Sequence, residues 1–251
     1  MIKVAVCGTC GKMGANVIEI LQGDNEAVAV CGIDAKGGNI GGLTVYSSFE
    51  DIAGKPDVII DFSSPAALES ELEYAVKNNV PAVIGSTGFT DEQLAKIKKA
   101  SEKVAIFRTA NFSLGVNLLC ELVKRAAQTL GEKFDVEIIE KHHNKKVDAP
   151  SGTALMLADS VNSAFDGGKT YLNGREGICG KRGNEIGMHA VRGGTIVGEH
   201  DVMFCGEDEI ITISHSARSK KVFAAGAVKA AKWLAGKPAG MYDMKDVLQK
   251  K

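Results

Sequence analysis

The residues most able to carry out chemistry lie together in one short stretch, from Glu140 to Ala154. It contains two adjacent histidines, His142 and His143, followed by a lysine pair that ends at Lys146. Imidazole exchanges a proton near neutral pH, and lysine supplies a cation or a proton. A Pro-Ser-Gly-Thr sequence follows and predicts the start of a helix, whose first N–H groups favour an anion. The stretch therefore predicts a site for a small substrate that carries carboxylates.

A second group of residues with the spacing for a binding site lies near the N-terminus. An apolar run from Ile2 to Cys7 predicts a buried strand, and a glycine turn, Gly8 to Gly14, leads from it into a helix. Such glycines let the backbone approach a pyrophosphate at the helix N-terminus, although this GxxGxxG spacing differs from the usual GxGxxG. Asp34 follows the second predicted strand, where a carboxylate accepts the ribose hydroxyls. We predict dinucleotide binding; a glycine turn that serves packing alone is the alternative.

The residues after Asp34 bear on the choice of nicotinamide cofactor. A carboxylate repels a ribose 2′-phosphate, whereas an arginine beside it would attract one. The next residue here is Ala35, and Lys36 comes one position later. We therefore predict that NADH is preferred, with NADPH possible if Lys36 folds back towards the ribose.

Two further loops follow predicted strands of the same region, at the strand ends where open α/β sheets bind ligands. Gly85, Ser86 and Thr87 offer small side chains and backbone donors for the nicotinamide ribose or carboxamide. The loop from Thr109 to Phe112, with Ala110 and Asn111 between them, could place Phe112 near the nicotinamide. Taken alone, either loop is also compatible with an ordinary connection.

The elements that must position these residues fall into two sets. In the N-terminal part, apolar strands alternate with helices of about ten residues, which is typical of an α/β fold with a Rossmann-type doubly wound parallel sheet. The predicted strands are 2–7, 27–33, 57–62, 80–85 and 104–107, and the predicted helices are 13–21, 66–78 and 91–101, the last with Thr90 as N-cap.

After Asn117 the pattern changes to strands in which apolar and polar residues alternate. This predicts a C-terminal α+β domain with a mostly antiparallel sheet. The predicted strands are 134–140, 188–192, 195–204 and 209–216, and the predicted helices are 118–130, 153–164 and 222–234. We predict a dinucleotide-binding domain at 1–113, with 222–251 packing back on it, and a substrate-binding domain at 114–221.

Composition excludes several other classes of protein. The chain has 30 Lys and Arg against 31 Asp and Glu, so nothing favours a nucleic-acid surface. Six cysteines are too few for a disulfide scaffold, and Cys7 and Cys10 lack the partners of a zinc site, so no metal is expected. No apolar run is long enough for a membrane helix and no signal peptide is evident, which favours the cytoplasm.

The motifs together resemble those of the 4-hydroxy-tetrahydrodipicolinate reductase family, and the resemblance covers essentially the whole chain. It is carried above all by the stretch Glu140 to Ala154, and further by Gly8–Gly14, Gly85–Gly88, Asn111–Ser113, Arg192–Gly194, Gly198–His200, Trp233–Leu234 and Asp243–Met244. The resemblance implies reduction of a cyclic imine dicarboxylate with NADH or NADPH, on the route to diaminopimelate and lysine. It also implies a homotetramer built through the sheets of the second domain.

The resemblance further implies roles for individual residues. His142 would be the proton donor and acceptor, Lys146 a proton donor, and His143 a substrate contact. Ser151, Gly152 and Thr153 would hold a substrate carboxylate. The implied cofactor positions are Gly8, Thr9, Cys10, Gly11, Lys12, Met13, Asp34, Gly85, Ser86, Thr87, Thr109, Ala110, Asn111 and Phe112.

The chain departs from the family pattern near the cofactor, and two rival functions share its general features. Ala35 replaces the arginine that follows the acidic residue in relatives, and an arginine that relatives often carry near Ser64 is absent. A semialdehyde dehydrogenase would need a cysteine nucleophile, for which Cys120 is the candidate. A non-enzymatic module that senses the dinucleotide would have no evident use for His142 and Lys146.

Overall fold

The computed structural model describes residues 1–249 and divides the chain into two compact units. The first unit consists of Met1–Ser113 together with the chain from Lys221 onward, and the second consists of Leu114–Lys220. Residues 250 and 251, which the sequence places in the returning segment, lie outside the described residues.

An eight-stranded sheet with helices forms the first unit. Its strands are β1 (Ile2–Cys7), β2 (Ala27–Ile33), β3 (Gly38–Ile40), β4 (Leu43–Tyr46), β5 (Val58–Asp61), β6 (Ala82–Ile84), β7 (Ala105–Arg108) and β13 (Gly240–Tyr242). Its helices are α1 (Lys12–Gln22), α2 (Leu68–Asn78), α3 (Asp91–Ser101), α6 (Lys221–Leu234) and α7 (Met244–Leu248). The strand order is β13-β7-β6-β5-β1-β2-β4-β3, and every neighbouring pair is parallel except β3 and β4. The predicted Rossmann-type parallel sheet is confirmed.

This strand order determines where the first unit can bind a ligand. From β1 the chain extends the sheet in one direction through β2 and in the other through β5. The connections therefore diverge above β1 and β5 and open a crevice at the carboxyl ends of these strands. Val4 and Val6 of β1 and Val58, Ile59 and Ile60 of β5 are wholly buried, which gives the crevice a rigid base.

Local sequence signals account for the elements around the crevice. Thr90 is the N-cap of α3, as predicted: its hydroxyl accepts the Gln93 N–H at 3.3 Å, and the Gln93 side chain accepts the Thr90 N–H at 3.0 Å. In α6, a Cβ at Gly226 would lie 1.8 Å from the Phe112 carbonyl oxygen. Glycine at this position therefore lets α6 approach the loop that precedes Ser113.

A five-stranded sheet and two long helices form the second unit. Its strands are β8 (Asp135–His142), β9 (Thr170–Asn173), β10 (Glu185–Arg192), β11 (Gly198–Cys205) and β12 (Ile210–Ala217), and its helices are α4 (Leu114–Leu130) and α5 (Gly152–Asn162). The strand order is β12-β11-β8-β10-β9. Val136 and Ile138 on one face of β8 pack in a core with residues of α4 and α5.

This second sheet is mixed. β11 is antiparallel to β8 and β12, in line with the alternation in the sequence, whereas β10 is parallel to both β8 and β9. The chain between β8 and β10 includes α5, and a crossover of that length allows parallel pairing.

Several element boundaries differ from those predicted. β8 continues to His142, so this histidine ends a strand instead of lying in a loop. β11 begins at Gly198, because residues 195–197 belong to the turn after β10. The short elements β3, β4, β9, β13 and α7 were not predicted, since three- to five-residue elements carry little periodicity.

Candidate active site

The crevice of the first unit is a cleft of about 500 Å³ at the carboxyl ends of β1, β2 and β5. The glycine turn, the end of β2 and the loop after β5 line it, through Gly8, Gly11, Asp34 and Ser63 among others. Asp34 is the one charged side chain among the described residues that line the cleft. The cleft has the size and position of an adenosine site.

The glycine turn is shaped by contacts that exclude side chains. Gly8 has a φ of +78°, and a Cβ there would lie 2.5 Å from the Phe62 carbonyl oxygen. A Cβ at Gly14 would lie 2.2 Å from the Gly8 carbonyl oxygen. Gly11 is the N-cap of α1, with no side-chain hydrogen bond to the cap. The turn therefore offers backbone and a helix N-terminus to a ligand, which fits the pyrophosphate of a dinucleotide.

The other predicted cofactor residues of this region lie in the glycine turn or directly after it, close to Asp34. Asp34 accepts the Cys10 N–H at 3.0 Å, so its carboxylate joins the end of β2 to the turn. Thr9 is buried, and its hydroxyl oxygen has no hydrogen-bond partner among the described residues. Lys12 and Met13 begin α1.

Asp61 links the predicted Gly85–Thr87 cofactor loop to the loop that follows β5, although the sequence alone assigned it no role. Its buried carboxylate accepts the Ser63 N–H at 2.8 Å and the Ser63 hydroxyl at 2.5 Å. The Ser86 hydroxyl donates to the other carboxylate oxygen. Burial raises the pKa of Asp61, against the hydrogen bonds from both serines, which lower it. Asp61 thereby fixes the Gly85–Thr87 loop beside the loop that lines the cleft.

Phe112 lies in an aromatic core. Its ring is 6% exposed, with its centroid 5.5 Å from that of Phe62 and 6.0 Å from that of Phe107. In the same loop, the Thr109 hydroxyl donates to the Asn111 carbonyl at 3.1 Å. Any contact of the Thr109–Phe112 loop, including Ala110, with a cofactor would therefore come from its backbone more than from the Phe112 ring.

In the second unit, the candidate site is built around Glu140, which is 1% exposed. Arg192 donates to both carboxylate oxygens, at 2.7 and 2.8 Å, and His142 Nδ1 lies 2.6 Å from Oε2. The Ser151 N–H donates to Oε1 at 3.0 Å. Burial raises the pKa of Glu140, but the hydrogen bonds from Arg192, His142 and Ser151 outweigh this and hold it below its usual value. The carboxylate is therefore ionised and fully bonded.

Ser151 connects this cluster to α5. It is the N-cap of the helix, and its hydroxyl accepts the Ala154 N–H at 3.2 Å. His200 Nε2 lies 3.1 Å from the same hydroxyl, and the His200 ring lies 5.2 Å from the His142 ring. Burial lowers the pKa of His200 to about 4, so this ring is neutral at neutral pH. Gly152 and Thr153 are the first two residues of the helix.

The loop between β8 and α5 carries the remaining predicted residues. Lys146 Nζ lies 2.9 Å from both carboxylate oxygens of Asp148. The Lys146 N–H donates to the His143 carbonyl at 3.1 Å, and Nδ1 of His143 is buried without a partner among the described residues. The structure therefore brings His142, His143, Lys146 and Ser151 together in one unit, at one end of β8.

Sequence reasoning missed the roles of Glu140, Arg192, His200 and Asp61. Glu140 and His142 are two residues apart on a strand and therefore share a face, which could have been inferred from the alternation. Arg192 and His142 are cross-strand neighbours, and that register was not available from the sequence.

Other predicted features can be located directly. Cys120 lies on α4 in the core of the second unit and is 8% exposed, which does not suit an accessible nucleophile. None of the six cysteines, all within the described residues, forms a disulfide. Within residues 1–249 there is no group of three or more His, Cys, Asp or Glu arranged to hold a metal ion, and no helix is long and apolar enough to cross a membrane.

Comparison with known proteins gives a consistent result. Residues 2–112 match the family model for the N-terminus of dihydrodipicolinate reductase, and residues 115–248 match the model for its C-terminus. A 4-hydroxy-tetrahydrodipicolinate reductase of Caldanaerobacter subterraneus subsp. tengcongensis is 48% identical over 251 residues, covering 100% of this chain and 99% of that protein. One from Clostridium novyi is 43% identical over 251 residues and 100% of both chains.

A solved structure shows the same similarity. The dipicolinate-bound dihydrodipicolinate reductase from Paenisporosarcina sp. TG-14 has a TM-score of 0.80 and 28% sequence identity to this chain, and the match covers 97% of each.

Proposed function

This chain belongs to the dihydrodipicolinate reductase family, and we propose that it reduces 4-hydroxy-tetrahydrodipicolinate to tetrahydrodipicolinate in the diaminopimelate route of lysine biosynthesis. It is an NAD(P)H-dependent oxidoreductase. One observation above all supports this reaction at the site in the second unit. His142 is bonded to Glu140, and the same carboxylate is bonded to Ser151 at the N-terminus of α5. One unit thereby joins a proton-transfer group to an anion-binding helix start.

The first unit fits the cofactor. Gly8 and Gly14 let the turn pack tightly against backbone, so that the turn presents its own backbone and the N-terminus of α1 to the pyrophosphate, and Asp34 lines the cleft where a ribose would lie. We propose that Ser86 and the Thr109–Phe112 loop bind the nicotinamide half. When bound, the cofactor supplies a hydride to the substrate ring.

The second unit fits a dicarboxylate, the class of ligand named for the solved relative. We propose that Ser151, Gly152 and Thr153 hold one substrate carboxylate at the start of α5, where the helix dipole favours negative charge. His143 contacts the substrate from the loop that follows β8.

Loss of the ring hydroxyl as water makes the imine conjugated, and hydride addition to that conjugated system leaves an enamine-like product that needs a proton. The overall reaction consumes substrate, reduced cofactor and one proton, and it yields product, oxidised cofactor and water. We propose that His142 or Lys146 supplies this proton and that these two side chains stabilise the charge that develops on the ring. Asp148, bonded to Lys146 Nζ at 2.9 Å, holds the ammonium within the loop that follows His142 and His143.

The test is an assay of the purified chain with substrate generated enzymatically in the cuvette. Loss of nicotinamide absorbance should require the substrate and match product formation. A chain that binds NADH but does not consume it when substrate is supplied would be a sensing module, and the proposed reaction would be wrong.

We propose further that NADH is preferred over NADPH, because the cleft carries one negative side chain and Ala35 stands where relatives have arginine. We expect Ala35→Arg to raise kcat/KM for NADPH relative to NADH by about 10- to 100-fold, which corresponds to one or two charge-assisted hydrogen bonds. Steady-state kinetics with both cofactors measures this. Lys36→Ala is the control, since loss of NADPH activity there would show that Lys36 already binds the phosphate. A wild-type enzyme that favours NADPH strongly would contradict the proposal.

We also propose a homotetramer assembled through the sheet of the second unit, in the cytoplasm. β12 is an edge strand, and Ile210 at its start is 62% exposed. An exposed apolar edge favours pairing with another chain. The unbridged cysteines fit a reducing compartment. Light scattering of the purified protein measures the subunit number directly.

A further inference from the structure

Glu140 touches the proton-transfer histidine from inside the sheet, where it is 1% exposed. We propose that Glu140 is the positioning residue that decides which ring nitrogen of His142 carries the resting proton, so that Nε2 exchanges the proton with the substrate. This inference rests on the proposed role of His142 in the reaction.

The hydrogen bonds of the carboxylate determine the tautomer. An ionised carboxylate accepts hydrogen bonds and cannot donate one. His142 Nδ1 lies 2.6 Å from Glu140 Oε2, so Nδ1 must carry the hydrogen in this contact. In the neutral ring the other nitrogen, Nε2, then holds a free electron pair. Nε2 is therefore the atom that gains and loses a proton during turnover.

Arg192 determines how strongly this carboxylate acts on the ring. Its guanidinium donates to both oxygens of Glu140 and stays protonated. The positive charge of Arg192 therefore balances the negative charge of Glu140 without any contribution from His142. With His142 neutral, no buried charge in this cluster is left unpaired, so the Glu140–Arg192 pair does not require a protonated histidine. An unpaired Glu140 would instead favour a permanently protonated histidine.

A glycine and a neutral histidine, both on β11, lie next to the His142 ring. A Cβ at Gly198 would lie 3.1 Å from Nε2, so glycine at this position of β11 leaves the nitrogen accessible. His200 meets the His142 ring edge-on at 5.2 Å and is neutral at neutral pH. The carboxylate bonded to His142 is Glu140 on β8, the cation bonded to that carboxylate is Arg192 on β10, and the neutral ring of His200 lies on β11.

Glu140 also connects proton transfer to substrate binding. One oxygen of the Glu140 carboxylate, Oε1, accepts the Ser151 N–H, and the other, Oε2, accepts the hydrogen bond from His142 Nδ1. Ser151 begins α5, so one carboxylate fixes both the histidine and the proposed carboxylate site. The distance between these two sites is then set by a buried group and not by the exposed loop between β8 and α5.

The direct test is long-range ¹H–¹⁵N NMR of the histidine rings at mildly alkaline pH. The chain has five histidines, and a His142→Gln variant identifies the His142 signals by difference. We expect wild-type His142 to be the Nδ1–H tautomer. An Nε2–H tautomer in the wild type would overturn the proposal, whatever the catalytic activity.

The kinetic test uses Glu140→Gln. A carboxamide can donate to Nδ1 and select the wrong tautomer, so we expect kcat to fall by ~10²- to 10⁴-fold, as when the carboxylate behind a catalytic histidine becomes an amide. KM for NADH should stay within about twofold, since the cofactor residues lie in the other unit. Glu199→Gln is the matched control, because Glu199 lies on the adjacent strand and pairs with Lys141.

The outcomes separate this inference from the proposed function. If His142→Gln abolishes turnover while Glu140→Gln keeps both the wild-type kcat and the Nδ1–H tautomer, the role of Glu140 is wrong and that of His142 stands. If His142→Gln is fully active, the proposed role of His142 fails, whereas the tautomer measurement still tests Glu140. If Glu140→Gln does not fold, the wild-type tautomer decides the question.

Discussion

Replacement of His142 by Gln or of Lys146 by Ala should each lower kcat by ~10²- to 10⁴-fold, the usual contribution of a positioned proton donor. Both side chains lie in the second unit, so KM for NADH should be almost unchanged. Steady-state kinetics with enzymatically generated substrate measures both effects, and a larger solvent isotope effect on kcat should show that proton transfer has become slower.

The matched control for Lys146 is its neighbour. Lys145 is the same residue type on the same loop, and its side chain is exposed. Lys145→Ala should therefore keep wild-type kcat. If Lys145→Ala and Lys146→Ala reduced kcat equally, a general loss of positive charge would explain the result, and Lys146 would not be the proton donor.

Replacement of Gly14 by Ala should have the largest effect on the cofactor. The new Cβ would lie 2.2 Å from the Gly8 carbonyl oxygen and 2.9 Å from the Thr9 Cα, so the backbone of the turn must move. We expect the Kd for NADH to rise by about 10- to 100-fold and unfolding to become easier by about 1–3 kcal/mol, as for an overpacked site. Fluorescence titration and thermal unfolding measure the two effects.

Gly23→Ala serves as the control at the other end of α1. Its Cβ would make only an ordinary contact, 3.8 Å from the Ile20 carbonyl oxygen. This variant should bind NADH as the wild type does. A Gly14→Ala variant with the same affinity would show that the turn is glycine-rich for packing alone.

The sequence predicted the architecture where physical patterns are strong. A seven-residue apolar strand such as Ala27–Ile33 and a capping pair such as Thr90 and Gln93 carry local signals that can be recognised in the sequence. Strand pairing is different, because it depends on side chains far apart in the chain. The parallel register of β10 with β8, which places Arg192 beside His142, had no local signal.

The same division applies to the candidate site. Motif residues such as His142, Lys146 and Ser151 could be predicted, because their types and spacing are unusual together. Strand alternation places Glu140 on the same face as His142, but it does not predict burial, since a glutamate is ordinarily solvent-exposed. Only the tertiary structure shows that it is buried and bonded on three sides.

The division of the first unit into two stretches of chain has a consequence for its synthesis. Helix α6 packs on α1 and on the central strands, and β13 pairs with the edge of β7. Both come from the segment that begins at Lys221, after about 100 residues of the second unit. A ribosome that adds ~5–20 residues per second needs about 5–20 s to synthesise the second unit, so α6 and β13 appear that much later than the rest of the first unit. For that time the nascent cofactor-binding unit exposes an unpaired strand edge and an uncovered apolar helix face, so the emerging chain is most vulnerable to aggregation before its last thirty or so residues appear.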